Sequence, residues 1–406
     1  MLRIGMTVRR HEGRHMPDVI GLNSNLSDNL SDAGYANTSR STMVVDLGAI
    51  ESNYRKFRML APHSACGAVL KADAYGLGAL RIAPFLARLG CGHFFVADVE
   101  EGVALRKVLP LAAKIYLLHG VMPGSEAAIE HHDLLPILNS REQLDAWLGH
   151  CRLRNRLLPA GIHVDTGLSR LGFPIDELQK AAENERGLSE LPVVLFMSQL
   201  ACAEWRNEIS RQQLYQFRKL TYLFPKAILS LSNSAGLFAG CEFHFDLIRS
   251  GGGILGLSVS GDPDFRPSQV VRLRTRILQS RRVKVGEAIG YHRSYPVKRR
   301  MRVATASIGY ADGFPRSLSN RGHVFICGAR APIVGFVSMD LISIDVTDLP
   351  ESWTAPGTTV DLICPEQTVA DVALVANMLS DELTTAIGQR CRRLYVSAKR
   401  DEMRRQ

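Results

Sequence analysis

From Met43 onward, short runs of Val, Ile, Leu and Phe alternate with longer stretches whose apolar residues recur every three or four positions. The runs are "CGAVLKA", "HFFVAD", "KIYLLHG", "LPILN", "PAGIHVD", "VVLFMS", "AILSLS" and "FDLIRSGGGILG". Between them lie stretches such as "ALRIAPFLARLG", "EEGVALRKVL", "REQLDAWLGHCR" and "RQQLYQFRKLTYLF". A run that is apolar without alternation is the pattern of a strand covered on both faces, as in a parallel sheet. Strand and helix alternating in this way predict an N-terminal (β/α)8 TIM-like barrel over residues 43–267. Past residue 268 the texture becomes β-rich with frequent turns, as in "VVRLRTRILQSRRV" and "HVFICGARAPIVGFVSMDLISIDVTDLP". That predicts a C-terminal mainly-β domain over 268–406, interrupted by one helix in "TVADVALVANML" with Thr368 as its cap. The fold class is therefore α/β plus β. Residues 1–42, with "NLSDNLSDAG" and no sustained apolar period, read as a flexible arm.

Composition narrows the class. A chain of 406 residues, 46% hydrophobic, can bury a large core. It has no apolar run long enough to span a bilayer and no secretory-signal layout at its start, which predicts a cytoplasmic protein without a membrane partner. Eight scattered cysteines without a CxxC pair predict reduced thiols. The net charge of +9 gathers partly in "RRHEGRH" and "QRCRRLYVSAKRDEMRRQ" without interleaved aromatics, so a solvated surface is expected and no nucleic-acid partner.

Candidate chemistry collects just after the apolar runs, where a barrel's C-terminal face would lie: Lys71, Asp165, Ser198, Asn233, Ser234 and Arg249. A lysine at a buried strand end can serve as an amine nucleophile toward an aldehyde, or it can pack its stem and send its head to water. Tyr75, with Gly76 and Gly78, could turn a phenol and open amides toward a phosphate near Lys71. Ser234 and the glycines from Gly251 to Gly253 offer further phosphate donors. Together these imply a phosphorylated aldehyde cofactor.

"AVLKADAYGLG" resembles the pyridoxal-phosphate attachment signature of the alanine racemase family, and "HVDTGLSRLGF", "NSAG", "IRSGGG", "IGYADGFPR" and "VGFVSMDLISID" match it in order over about residues 43–395. The resemblance implies pyridoxal 5'-phosphate carried by Lys71. Tyr75, Ser234, Gly251 and Gly252 would hold its phosphate, Arg249 would face its ring nitrogen, and Gln199 would lie against the ring. It implies racemisation of a free amino acid, L-alanine to D-alanine, with Lys71 and Tyr310 as opposed acid/base groups. Arg170 would hold the substrate carboxylate. Tyr310 and the loop of Ser338, Met339 and Asp340 would arrive across a homodimer interface.

The sequence departs from the family pattern at His163, where many members have a lysine, at Gln199, where a histidine is usual, and at Phe336, where an arginine is frequent. Asp381 stands where a tyrosine normally narrows the substrate pocket. A carboxylate there predicts acceptance of serine or basic amino acids, or else a side chain turned to solvent. Two alternatives are a pyridoxal-phosphate decarboxylase, for which "GGG" is a superficial match, and a weakly active pyridoxal-phosphate carrier.

Overall fold

The computed structural model describes residues 40–397 except 185–187, 189–190, 204–207 and 258–264; of the arm expected over 1–42, residues 1–39 lie outside the described residues. From Arg40 onward the described residues form one compact unit.

All eight predicted runs are barrel strands: β2 (Ala65–Val69), β3 (His93–Val96), β4 (Lys114–Leu117), β5 (Leu135–Leu138), β6 (Ala160–His163), β7 (Val193–Met197), β8 (Ile228–Ser230) and β9 (Leu247–Ser250). They lie in the order β8-β7-β6-β5-β4-β3-β2-β9, each neighbour parallel. The two ends nearly close through Asp246 N–H to Leu229 O (3.1 Å) and Arg249 N–H to Ser232 O (3.0 Å). Outside run α1 (Leu47–Leu60), α2 (Ala79–Arg88), α3 (Val99–Arg106), α4 (Glu126–His131), α5 (Arg141–Leu153), α6 (Ile175–Asn184) and α7 (Glu208–Leu220).

The strands lack alternation because both faces are covered. Phe95, Tyr116, Ile137, Leu195 and Met197 fill one buried cluster, while Phe94, Ile115, Ile162 and Phe196 on the opposite faces pack into the larger core shared with the helices.

One expectation needs correcting. The first strand, β1 (Ser41–Asp46), does not belong to the barrel. It pairs antiparallel with β10 (Val271–Val283) and parallel with β18 (Arg392–Val396), so the chain enters through the sheet of the C-terminal domain. Its buried positions alternate, Ser41, Met43 and Val45, as suits a sheet with one covered face. The remaining strands are β11 (Ala288–Ile289), β12 (Tyr295–Pro296), β13 (Met301–Ala306), β14 (His323–Ile326), β15 (Ala329–Pro332), β16 (Ile342–Asp345) and β17 (Thr359–Ile363). The main sheet runs β15-β14-β17-β10-β1-β18, with β13 and β16 branching from β10.

The predicted helix is α8 (Val369–Ala376), capped by Thr368, whose hydroxyl accepts from Asp371 N–H while its own N–H bonds the Asp371 carboxylate. A second short helix, α9 (Ser380–Ala386), comes next and carries Asp381. The cysteines are all free thiols, as expected. Among the described residues no helix is long and apolar enough to cross a membrane.

Candidate active site

Directly after β2 the backbone does something L-residues avoid. Ala72, Asp73, Ala74 and Tyr75 all have φ between 52° and 56°, a left-handed helical turn that begins at half-buried Lys71. Each such residue costs about 1–2 kcal/mol, so the turn must be held from outside. Glu101 on α3 accepts from Ala72 N–H (2.6 Å) and Ala97 N–H (2.8 Å), and Asp73 accepts from Ala79 N–H (2.7 Å). Arg393 donates twice to Gly76 O (3.2 and 2.9 Å). The glycines 76 and 78 do not present open amides, as the sequence suggested: their N–H groups bond Ala72 O and Asp73 O. They are small so that the C-terminal segment can approach, since a Cβ on Gly76 would lie 2.4 Å from Thr384 O and one on Gly78 1.8 Å from the Tyr395 hydroxyl oxygen.

Lys71, Tyr75, His163, Arg170, Gln199, Ser234, Arg249, Gly251, Gly252 and Asp381 line one cavity of about 470 Å³. The anion cradle is on one side of it. Ser234 Oγ accepts from the N–H groups of Gly251 (3.2 Å) and Gly253 (3.3 Å), and a Cβ on Gly251 would lie 2.3 Å from the Tyr75 hydroxyl oxygen. Burial raises the Tyr75 phenol above its ordinary pKa, with Asp381 adding to the shift, so it stays a hydrogen-bond donor. Hydroxyls, amides and a neutral phenol converging where a side chain would not fit suit a phosphate beside the Lys71 amine.

Arg249 is 3% exposed. It donates to Ser230 Oγ (2.6 Å), Ser198 O (2.7 Å) and Gln199 Oε1 (2.9 Å), and no ion pair involves it among the described residues. Burial lowers its pKa to about 10, which leaves it charged at neutral pH. Gln199 thus keeps a side-chain link to Arg249 through its amide oxygen.

His163 is buried and hydrogen-bonds Asn139 Oδ1 through Nδ1 (2.8 Å). Asn139 Nδ2 is committed as a donor to Ile137 O (2.7 Å), so Nδ1 of His163 carries the hydrogen and Nε2 is left an acceptor. Burial, then Arg249, lowers the His163 pKa to about 4, so the imidazole is neutral. Arg170 sits exposed at the cavity edge on a loop fixed by Asp165, whose carboxylate accepts from the N–H groups of Gly167 (2.8 Å), Leu168 (2.8 Å) and Ser169 (2.9 Å).

The alanine racemase N-terminal domain model matches residues 45–259 and the alanine racemase C-terminal domain model matches 270–395. The chain belongs to the alanine racemase family. It is 40% identical over 357 residues to the catabolic alanine racemase of Agrobacterium fabrum, covering 87% of this chain and 92% of that one. It is 38% identical over 364 residues to the alanine racemase of Rhodospirillum rubrum, covering 89% and 97%. The structure of alanine racemase from Bartonella henselae with covalently bound pyridoxal phosphate superposes with a TM-score of 0.84 at 38% identity, covering 88% of this chain and all of that one.

Asp381, half-buried, lines the cavity next to Lys71, Tyr75 and Gly252. Burial raises its pKa, offset in part by the Lys71 charge. Tyr310, Met339 and Asp340, by contrast, do not line the cavity. Tyr310 and Met339 are 46% and 54% exposed, and Asp340 is paired with Arg390 and Arg40. The turn of Tyr310 is nonetheless joined to the Met339 loop by Tyr310 N–H to Ser338 O and Ala311 N–H to Met339 O, both 3.0 Å. Phe336 lies in the same domain, under the Arg316 guanidinium.

Sequence reading missed Asn139, Glu101 and Arg393. Asn139 stands after an apolar run as directly as Ser198 does, and the same criterion would have found it. Glu101 and Arg393 act on backbone groups far away in the chain, and no local pattern marks them.

Proposed function

We propose that this protein is a homodimeric pyridoxal-phosphate racemase that interconverts L- and D-alanine, with Lys71 and Tyr310 of the partner subunit as the acid/base groups on opposite faces of the substrate's Cα. The observation that carries the reading is the division of the site. Lys71, the anion cradle and Arg249 line one cavity, while Tyr310 and Met339 stand exposed outside it. Inversion at Cα needs one group to remove the proton and another to deliver it from the other face. A two-fold pairing of chains brings the second group to each cavity reciprocally.

When bound, pyridoxal phosphate supplies the electron withdrawal that makes the hydrogen on Cα acidic. Lys71 would hold it at Nζ, and Tyr75, Ser234, Gly251 and Gly252 would bind its phosphate. Lys71 Nζ and the Tyr310 phenol each hold or move a proton on their own face. Arg170, exposed at the cavity edge, binds the substrate carboxylate, and neutral His163 lines the same cavity without adding a charge to it. Arg249 keeps its charge, and facing the ring nitrogen of the bound cofactor it would disfavour a proton there, which would favour return of the Cα proton over amino transfer. The free thiols suit a reducing compartment, and we place the enzyme in the cytoplasm.

Solvent-deuterium exchange followed by chiral analysis tests the reading. L-alanine should exchange its α-hydrogen and yield D-alanine, and Lys71→Ala should abolish both; no exchange with any amino acid would reject it. Asp381 favours a second reading of substrate range, in which serine, lysine or arginine is accepted beside alanine because a carboxylate stands at the cavity wall, where the family resemblance implies an aromatic ring. Asp381→Tyr should then narrow the range to alanine. A strong alanine preference unchanged in that variant would sink this second reading.

A further inference from the structure

We propose that Arg390 is a positioning residue for Tyr310, clamping the turn that bears the phenol to the loop that bears Met339. The inference rests on the reading of Tyr310 as the second acid/base group. Its basis is one guanidinium shared by two carboxylates on different segments. Arg390 Nε lies 3.2 Å from Asp312 Oδ1, and Arg390 Nη2 lies 2.5 Å from Asp340 Oδ1.

Asp312 belongs to the turn of Tyr310 itself. Its Oδ2 accepts from Gly309 N–H (2.9 Å), which closes the turn, and the residue is 2% exposed. A buried carboxylate with one oxygen committed to backbone needs a counter-charge at the other, and Arg390 is the cation paired with it. Asp340 belongs to the Met339 loop and is paired also with Arg40, whose Nη2 lies 3.5 Å away. The backbones beneath are already in close contact, because a Cβ on Gly309 would lie 2.2 Å from Ser338 O and one on Gly313 would lie 2.0 Å from Ala386 O. Gly388 N–H also bonds Asp312 O (3.0 Å), bringing the segment of Arg390 under the turn. The planar fork lets one arginine address two carboxylates at once, whereas a lysine ammonium is a single point of charge. Arg390 does not line the cavity of its own chain, so its effect on chemistry passes through the turn of Tyr310 and the loop it is clamped to.

The test separates positioning from stability. Removing a substrate's α-hydrogen and replacing it on the same face needs only the group on that face, whereas inversion needs both. In Arg390→Gln, racemisation in both directions should fall about tenfold or more, as misplacement of an acid/base group does. Same-face deuterium exchange of the enantiomer whose α-hydrogen faces Lys71 should stay within about twofold, and the bound-cofactor absorbance should persist. Arg390→Lys should restore thermal stability yet only part of the inversion rate. Asp340→Asn, which leaves the Arg390–Asp312 pair in place and removes the charge that Arg390 and Arg40 share, covers the case in which Arg390→Gln does not fold; it should move the ratio of inversion to exchange the same way by less. Inversion unchanged, or inversion and both exchanges falling in step, would overturn the proposal. A wild-type enzyme that exchanges no α-hydrogen would instead overturn the racemase reading beneath it.

Discussion

Asp381 brings a carboxyl group into a cavity whose other features suit an anion, and its burial raises its pKa. A raised folded pKa means the carboxyl favours the folded state at low pH and opposes it once ionised. Asp381→Asn in the cofactor-free protein should therefore raise the melting temperature at pH 7, with the gain fading as the pH falls toward about 4, the ordinary carboxylate range. A melting series over pH checks this. His163 has the opposite sign of linkage, with its pKa lowered to about 4. Between pH 6.5 and 4 the unfolded chain takes up a proton that the folded one refuses, so stability is complete above 6.5 and is lost as the pH falls, by roughly 3 kcal/mol. His93, also lowered to about 4 by burial, adds to the slope. His163→Gln should remove its share of that slope in denaturant titrations at pH 7 and 4.5, and an unchanged slope would contradict the assignment of a buried neutral imidazole. Residue types at strand ends made Lys71, Ser234 and Arg249 legible from sequence, since each belongs to a local motif. The protonation of His163 was not legible, because it depends on burial and then on the charge of Arg249, both of which exist only in the closed barrel.

The left-handed turn Lys71–Tyr75 is the element on which the site depends, and its stability is borrowed from Glu101 and from the C-terminal segment. Gly76→Ala puts a Cβ 2.4 Å from Thr384 O at a φ of +81°, so it should cost more than about 2 kcal/mol and loosen cofactor binding. Gly92→Ala, with nothing within 4 Å of its added Cβ, is the control and should stay within about 0.5 kcal/mol. Calorimetry with cofactor titration reads both. Barrel strands were legible because burial on both faces leaves an unbroken apolar run. The β1 strand was misassigned because "STMVVD" leads straight into the first barrel-side helix, while its partners lie at Val271–Thr275 and Arg392–Val396. The α9 helix, seven residues long, is too short to show an apolar period.

At the scale of the molecule, the single chain brings Lys71, Tyr75, Gln199, Ser234, Arg249, Gly251 and Gly252 to one cavity and leaves Tyr310, Met339 and Leu341 exposed elsewhere. The C-terminal segment joins the two halves: Arg393 holds the turn of Lys71 and Arg390 holds the turn of Tyr310, three residues apart. A second copy of the chain would cover the exposed group and complete both cavities at once. Mixed-subunit complementation tests this most directly. Lys71→Ala and Tyr310→Phe homodimers should each be nearly inactive. When the two chains are co-folded in equal amounts, half the dimers are mixed and each has one intact site, so about a quarter of the wild-type racemisation rate should return. No recovery, with mixed dimers demonstrated to form, would mean that Lys71 and Tyr310 do not meet across subunits and would contradict the account.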